Sequence, residues 1–376
     1  MKKAALVTLT SFLLLTLSGC SLVPLGSFDR SLRATTSPYE FSLLRWELGT
    51  AWEKLKSLFH RSPESPTPMN GAELVRKYFS LSSGDERARL RKEVEQILSR
   101  QIKEVLAEEG IFNPWQRYLH LRLLFPPLSF KLEDPPNLLV VSPREEIRIL
   151  RRVTLAPHLS VTEKEELEAK VDALNVSSLV VELGGLGATY PTLVGNRDLR
   201  STIETVVEEW LHQYLTLRPL GFLYLLEATG LRPDYEVATL DETVAGMVSQ
   251  EIAQRVCQKY YPELAERRVA KDSEFYREMR EIRRKVDEYL SQGRVAEAEQ
   301  FMRQKRDFLA QKGYHIRKLN QAYFAFYGTY AYDPTSISPI GRDLKELRKR
   351  CRSLKEFLDK VAGMKSYDDL RKALGR

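Results

Sequence analysis

Three side chains that can bind a cation or move a proton lie close together in the middle of the chain: Glu208, Glu209 and His212. The stretch from Val206 to Leu215 predicts a helix, on which residues at i and i+4 share one face. Glu208 and His212 then point at one spot, and Glu209 lies about 100° around the axis. This is the layout of the motif His-Glu-x-x-His, two metal ligands with a general base between them, except that a glutamate occupies the first position.

A catalytic metal ion needs a third protein ligand and an open position for water. Glu242, on a second predicted helix from Leu240 to Tyr260, is the candidate, with the small Ala245 and Gly246 nearby to allow close helix packing. Glu208 and Glu242 together would offset the full charge of a divalent ion, so that a bound water would be less acidic than in a site with two histidines. Zinc is the expected ion, and the second carboxylate moves the preference toward harder ions such as manganese.

The same pattern is also typical of an ordinary surface helix. The apolar side of the predicted helix is opposite Glu208, Glu209 and His212. A helix that packs on a core by that side would leave the three polar residues in solvent, without any ion. The residues of the apolar side are Ile203, Val207, Trp210, Leu211 and Tyr214.

Several blocks in one order extend the motif. Together they resemble a group of uncharacterised bacterial zincin-like, gluzincin-type metallopeptidases, in which the helix reads His-Glu-Trp-x-His-x-Tyr-Leu and is followed by Arg-Pro-Leu-Gly and later by Asn-Glu-Thr-Val-Ala. The likeness extends from about residue 137 to near the C-terminus. The blocks in this chain are Gly184–Leu186 with Tyr190–Pro191, Glu208–Leu215, Arg218–Gly221, Asp241–Ala245 and Asn320–Gly328.

The resemblance implies roles for individual residues. It makes His212 and Glu242 metal ligands and Glu209 the general base. It makes the strand Leu179–Leu183 a sheet edge near the cleft, to which an extended peptide can add by main-chain hydrogen bonds. Tyr323 or Tyr327 would donate to an oxyanion, or else only pack in the core. The chain departs from the family at two positions: Glu208 replaces the first histidine, and Asp241 replaces the asparagine.

The resemblance also implies the fold class: an α+β, mostly helical, zincin-like domain with a small sheet and C-terminal helices over 131–376. A helical region over 71–130 precedes it, with helices at 72–80 and 84–110. Short β-type runs follow at 128–132 and 137–142, then a polar helix at 162–174 and the best strand at 177–183, which the glycines 184–187 turn into a further extended segment. A charged helical hairpin is expected at 273–312, broken at Gly293.

The first residues have the pattern of an exported lipoprotein. Residues 1–19 combine two lysines with a short apolar run, as in a signal peptide. The run ends at Leu17-Ser18-Gly19-Cys20, which looks like a bacterial lipobox and implies that Cys20 carries the lipid and becomes the N-terminus. Residues 20–70 then hold the anchor, a Ser/Thr/Gly/Pro-rich tether at 21–37, an amphipathic helix at 39–59 that packs on the domain or dips into headgroups, and a linker.

Composition excludes some classes of partner and leaves two functions open. A net charge of +7 that is spread along the chain gives no argument for nucleic acid. Cys257 and Cys351 are capable of one disulfide, but two separate buried thiols are expected. The preferred function is a membrane-anchored, metal-dependent peptidase or hydrolase of the cell envelope. The alternative is an inactive zincin-like protein that binds a peptide or scaffolds a partner.

Overall fold

The architecture is α+β and mostly helical, with two small sheets. The computed structural model describes residues 26–41, 71–82, 84–116, 122–195, 197–265 and 273–376. The predicted signal peptide, Cys20, the predicted linker and the predicted helix beyond residue 41 lie outside these ranges. The elements are α1 (Ser27–Thr36), α2 (Gly71–Ser80), α3 (Asp85–Glu108), β1 (Phe130–Lys131), β2 (Asn137–Pro143), β3 (Arg151–Leu155), α4 (Val161–Asp172), β4 (Val176–Glu182), β5 (Gly185–Leu186), β6 (Thr192–Val194), α5 (Leu199–Thr216), α6 (Pro219–Ala228), α7 (Tyr235–Tyr260), α8 (Pro262–Ala265), α9 (Ser273–Ser291), α10 (Val295–Gln311), α11 (Gln321–Tyr327), α12 (Ile340–Arg350), α13 (Leu354–Ala362) and α14 (Tyr367–Ala373).

Helix α1 replaces most of the predicted tether. Phe28 and Leu32, one turn apart, face the core formed by the first sheet and α4, and Leu32 is buried. Asp29 forms an ion pair with Arg151 of β3 at 2.8 Å. The serine and threonine content suggested a flexible segment, but two apolar residues at helical spacing are enough for a short helix when a sheet is available to pack against.

The first sheet has the strand order β3-β2-β4 and is antiparallel throughout. Leu139, Val141 and Val180 face α4, whereas Val140, Leu179 and Val181 face α11. Every residue of β4 except its last is buried, which explains why its apolar residues Leu179, Val180 and Val181 are consecutive rather than alternating. Strand β3 was not predicted, because Arg151 and Arg152 interrupt the alternation of apolar and polar residues that is typical of a strand.

The second sheet has the order β1-β6-β5 and consists of very short strands. Strand β5 is formed by two of the glycine-turn residues and pairs with β6 in antiparallel register. Of the extended segment predicted for residues 188–194, only Thr192–Val194 is a strand. This sheet lies against α5, and β5 and β6 both contact that helix.

The main core joins α5 and α7 to α3 and the three C-terminal helices. The apolar face predicted for α5 is buried, and the side chains of Ile203, Val207 and Leu211 have no exposed surface. Cys257 and Cys351 are both buried and unpaired, as expected. The predicted hairpin is also present: α9 and α10 are joined at Gly293, whose φ of 71° is in the left-handed region that glycine tolerates.

Candidate metal centre

Helices α5 and α7 bring the three predicted ligands together. One ligand atom from each of Glu208, His212 and Glu242 lies within 4.8 Å of the others, and all three residues are half-buried. The His212 Nε2 atom is 3.5 Å from Oε2 of Glu242. The surface-helix interpretation is therefore wrong, because only 17% of the His212 side chain and 13% of the Glu242 side chain is exposed.

Capping and packing fix the two helices that carry the triad. Asp198 caps α5 by accepting a hydrogen bond from the Ser201 amide at 3.0 Å. Asp234 caps α7 in the same way through the Val237 amide at 3.1 Å. On the buried side, the Trp210 indole donates to the Pro126 carbonyl at 2.8 Å, which fixes the rotation of α5 about its axis. The ligands are thus presented by rigid elements rather than by loops.

Asp241 holds the His212 ring. Its Oδ2 atom is 2.8 Å from His212 Nδ1, and the Asp241 side chain has no exposed surface. A carboxylate on Nδ1 keeps the proton on that atom, so that Nε2 is the nitrogen that faces Glu242. Histidine ligands commonly donate their other N–H to a carboxylate in this way, which orients the ring and makes it a stronger base.

Tyr224 is a site residue that the sequence did not indicate. It lies on α6, a helix absent from the prediction, and its hydroxyl donates to Oε1 of Glu242 at 2.5 Å. Its ring stacks on the His212 ring with centroids 5.4 Å apart and an angle of 24°. Behind it, Arg152 pairs with Glu227 at 3.0 Å. The Arg-Pro-Leu-Gly block, which begins α6, was the only sequence signal for this element.

The predicted general base, Glu209, faces the glycine turn. Its Oε2 atom accepts a hydrogen bond from the Gly187 amide at 2.6 Å. A Cβ atom on Gly185 would lie 2.7 Å from the Glu209 side chain, and one on Gly187 would lie 2.8 Å from Oε2. Glycine is required at both positions for close approach rather than for backbone freedom. The hydrogen bond from the turn therefore fixes Oε2 of Glu209, and with it the orientation of the whole carboxyl group.

Burial shifts the protonation of the acidic groups. Desolvation, opposed by His212, raises the pKa of the Glu208 carboxyl to about 8. It also raises the pKa of Glu209 to about 7. Burial disfavours the imidazolium of His212, but Glu242 and Asp241 outweigh it and hold the pKa of the ring well above its ordinary value. Four carboxyls surround one imidazole, and without a cation the raised pKa values of Glu208, Glu209 and His212 limit the negative charge of the site by holding protons near neutrality.

Two buried oxygen atoms in the site lack hydrogen-bond partners among the described residues. They are Oε2 of Glu242 and Oδ1 of Asp241. Buried carboxylate oxygens normally accept a hydrogen bond or bind an ion. The Glu242 atom lies 3.5 Å from His212 Nε2, so that one ion that replaces the proton on Nε2 could contact both atoms. The donor set of two carboxylates and one imidazole therefore fits a divalent cation.

The aromatic stretch after α10 holds two further tyrosines near the triad besides the predicted Tyr323 and Tyr327. Tyr323 and Tyr327 pack against the β2 and β4 face of the first sheet. Burial raises the pKa of Tyr327, and the charge of Asp333 makes the next largest contribution. Burial also raises the pKa of Tyr330 and Tyr332, but there the charges of Glu242 and Glu208 add to the shift. Of the tyrosines in this stretch, Tyr330 and Tyr332 are therefore the ones on which the charges of the triad act.

Strand β4 is an edge strand, as predicted, but much of its outer backbone is already hydrogen-bonded. The amide and carbonyl groups of Ser178 and Val180 that point away from β2 each bond to a side chain at 2.6–2.9 Å. Those side chains belong to Glu168, Asp172, Arg317 and Asn320. A peptide that added along this edge would have to displace them. Strand β5, beside Glu209, is the terminal strand of the other sheet.

No protein-family model, curated protein or solved structure matches the chain. Within the described ranges, no helix has both the length and the apolar character needed to cross a membrane.

Proposed function

We propose that the chain is a metal-dependent hydrolase of the zincin type that cleaves peptides at the cell envelope. The observation that carries this proposal is the convergence of Glu208, His212 and Glu242 within 4.8 Å, with a buried oxygen of Glu242 that lacks a hydrogen-bond partner among the described residues. A helix i,i+4 pair plus a carboxylate from a second helix is the ligand arrangement of catalytic metal sites with an open position. Zinc is the expected ion, and manganese the next.

The surrounding residues supply the remaining parts of a hydrolytic site. A divalent ion would provide a Lewis acid that polarises a carbonyl and acidifies a water. Glu209, whose pKa of about 7 is near neutrality, suits proton transfer from that water to the leaving amine. Asp241 and Tyr224 keep His212 and Glu242 in place. Tyr330 or Tyr332 has the position to donate to a developing oxyanion, in addition to the earlier candidates Tyr323 and Tyr327.

An extended peptide is the substrate that suits this arrangement. Because the outer backbone of β4 is occupied near Ser178 and Val180, we place the peptide along β5 instead. Gly185 of that strand lies directly against Glu209. Main-chain pairing with β5 would bring a scissile carbonyl next to the general base.

The inactive alternative rests on Glu208. A carboxylate in the first ligand position neutralises the ion and weakens its effect on water. The chain would then bind a peptide or scaffold a partner without cleaving it. Elemental analysis together with a hydrolysis assay separates the two: an enzyme should contain, or be activated by, one equivalent of a divalent ion and cleave peptides, whereas the inactive protein should not cleave them even when the ion is bound.

Zinc titration with matched variants tests the site directly. Glu208→Gln should weaken zinc binding by removing a ligand. Glu204→Gln, one turn earlier on α5, should not. Glu209→Gln should keep zinc but lose hydrolysis of a peptide library by about 10²-fold or more. Equal zinc affinity in all of these proteins would contradict the proposed ligand set.

The envelope location rests on the lipobox. Two or more acyl chains anchor a protein stably, whereas one does so marginally. Cys20→Ala should abolish lipid labelling and move the protein out of the detergent phase. Retention in the detergent phase would show that another segment carries the membrane affinity.

A further inference from the structure

A second feature lies on the same face of α5 and α7 as the triad. The ligands belong to two rows of residues spaced four apart, which form neighbouring ridges on packed helices. The row on α5 is His212, Glu208, Glu204 and Arg200, and the row on α7 is Glu242, Gly246, Gln250, Gln254 and Gln258. His212 is beside Glu242, and Arg200 bonds to the Leu264 carbonyl just after α7, so that the two helices run antiparallel.

A cavity of about 530 Å³ occupies the far end of these ridges. Its volume is within the usual range for a ligand pocket. The polar residues that line it are Arg200, Gln250, Glu251, Gln254, Gln258 and Lys345. We refer to it as the distal cavity. From Glu208 to Arg200 is two helical turns, which corresponds to about 12 Å along α5.

Tyr332 lies between the triad and the distal cavity. A Cβ atom on Gly246 would come 2.2 Å from the Tyr332 hydroxyl oxygen, so the phenol rests directly on α7 one turn beyond Glu242. Burial raises the pKa of this hydroxyl, and the charges of both Glu208 and Glu204 add to the shift. The ring thus contacts the path between the two sites, and a chain that extends from one to the other would pass over it.

The distal cavity carries one uncompensated positive charge. Arg200 pairs with Glu204 at 3.0 Å. Arg348 binds both oxygens of Glu251, at 2.7 and 3.0 Å. Lys345 is exposed and has no carboxylate partner among the described residues. One lysine together with glutamine amides suits a group with a single negative charge and two acceptor oxygens, which is a carboxylate.

We propose that the distal cavity is a subsite for an acidic side chain of the peptide substrate. This inference rests on the hydrolase function proposed above and specifies its substrate class. An extended chain advances about 3.3 Å per residue, so a distance of about 12 Å places the acidic residue three or four positions from the scissile bond. Lys345 pairs with its carboxylate, and Gln250 and Gln258 donate to it.

The test uses capped octapeptides in which one glutamate is moved through an otherwise uncharged sequence. With the full-length protein and zinc, glutamate three or four residues from the cleaved bond should raise kcat/KM about fivefold over glutamine at the same position. Lys345→Gln should abolish this preference. Lys349→Gln removes a positive charge one turn further along α12, and this variant should keep the preference for glutamate. Absence of the preference, or its persistence in Lys345→Gln, would overturn the subsite.

A binding measurement separates this result from failure of the hydrolase proposal. If no peptide is cleaved, the same pairs are titrated into the protein by calorimetry. Tighter binding of the glutamate peptide that is lost in Lys345→Gln but kept in Lys349→Gln supports the subsite on its own. Equal binding of glutamate and glutamine peptides, or no binding of either, overturns it.

Discussion

Replacement of Glu208 by histidine tests whether the first ligand position limits zinc binding. Glu208 is half-buried and forms no hydrogen bond with another described residue. The substitution restores two imidazoles and one carboxylate, the ligand set that leaves a bound water acidic near neutrality. Histidine costs only a few tenths of a kcal/mol more than glutamate in a helix, so α5 should persist.

The expected gain follows from competition between zinc and a proton. Burial raises the pKa of Glu208 to about 8, so at pH 7 an incoming ion must displace a proton from this carboxyl. At one pH unit below the pKa, removal of this proton costs about 1.4 kcal/mol, which lowers the zinc affinity tenfold. Burial and the neighbouring His212, the two largest influences at this position, both disfavour an imidazolium, so a histidine here should bind zinc without this cost. Glu208→His should therefore bind zinc about tenfold more tightly at pH 7, and the part of the gain due to proton competition should vanish above pH 8.

Zinc affinity is measured against a competing chelator at three pH values, together with peptide hydrolysis. Glu204→His places the same new side chain one turn earlier and should change neither quantity. Gain of both zinc affinity and turnover in Glu208→His supports a drifted ligand position. Weaker binding and turnover in that variant at pH 7 would refute the reasoning and show that a carboxylate is the better ligand at this position.

Three further substitutions have defined outcomes. Glu208→Gln should stabilise the metal-free protein. Because the pKa of Glu208 is raised in the folded state, its ionisation destabilises the fold increasingly as the pH rises from about 4.5 to 8. Calorimetry should therefore show a melting temperature roughly 5 °C higher for the variant at pH 8 and little change at pH 4.5. Tyr224→Phe removes the hydroxyl that donates a hydrogen bond to Glu242, and it should lower zinc affinity about tenfold in the chelator assay. Gly185→Ala displaces the Glu209 side chain and should lower turnover roughly 10²-fold while zinc affinity is retained.

Each of these has a control within the chain. The stabilisation by Glu208→Gln should disappear when zinc is bound, and equal stabilisation at both pH values would contradict it. Tyr260→Phe removes a hydroxyl bonded to Glu104 far from the site and should leave zinc affinity intact. Gly363→Ala adds a methyl group with only ordinary contacts and should keep turnover. Unchanged turnover in Gly185→Ala would mean that Glu209 is not the base.

The sequence by itself determined most of the helices, though not α1 or α6, and the helix faces that carry Glu208, His212 and Glu242. Apolar residues at helical spacing fix which side of a helix is buried, so the polar side that carries Glu208 and His212 follows from α5 alone. The resemblance to the zincin-like proteins then indicated Glu242, and one ligand atom from each of the three residues does lie within 4.8 Å of the others. Buried, separate thiols at 257 and 351 were also predicted correctly.

Only the tertiary structure decided whether that polar side is solvent-exposed or enclosed. Periodicity describes one helix at a time, whereas enclosure depends on how α6, α7 and the glycine turn pack against α5. For the same reason the sequence did not reveal Tyr224 on Glu242, Asp241 on His212, or the side chains that cap the outer backbone of β4. These contacts are hydrogen bonds between residues up to 142 positions apart, and no local pattern encodes them.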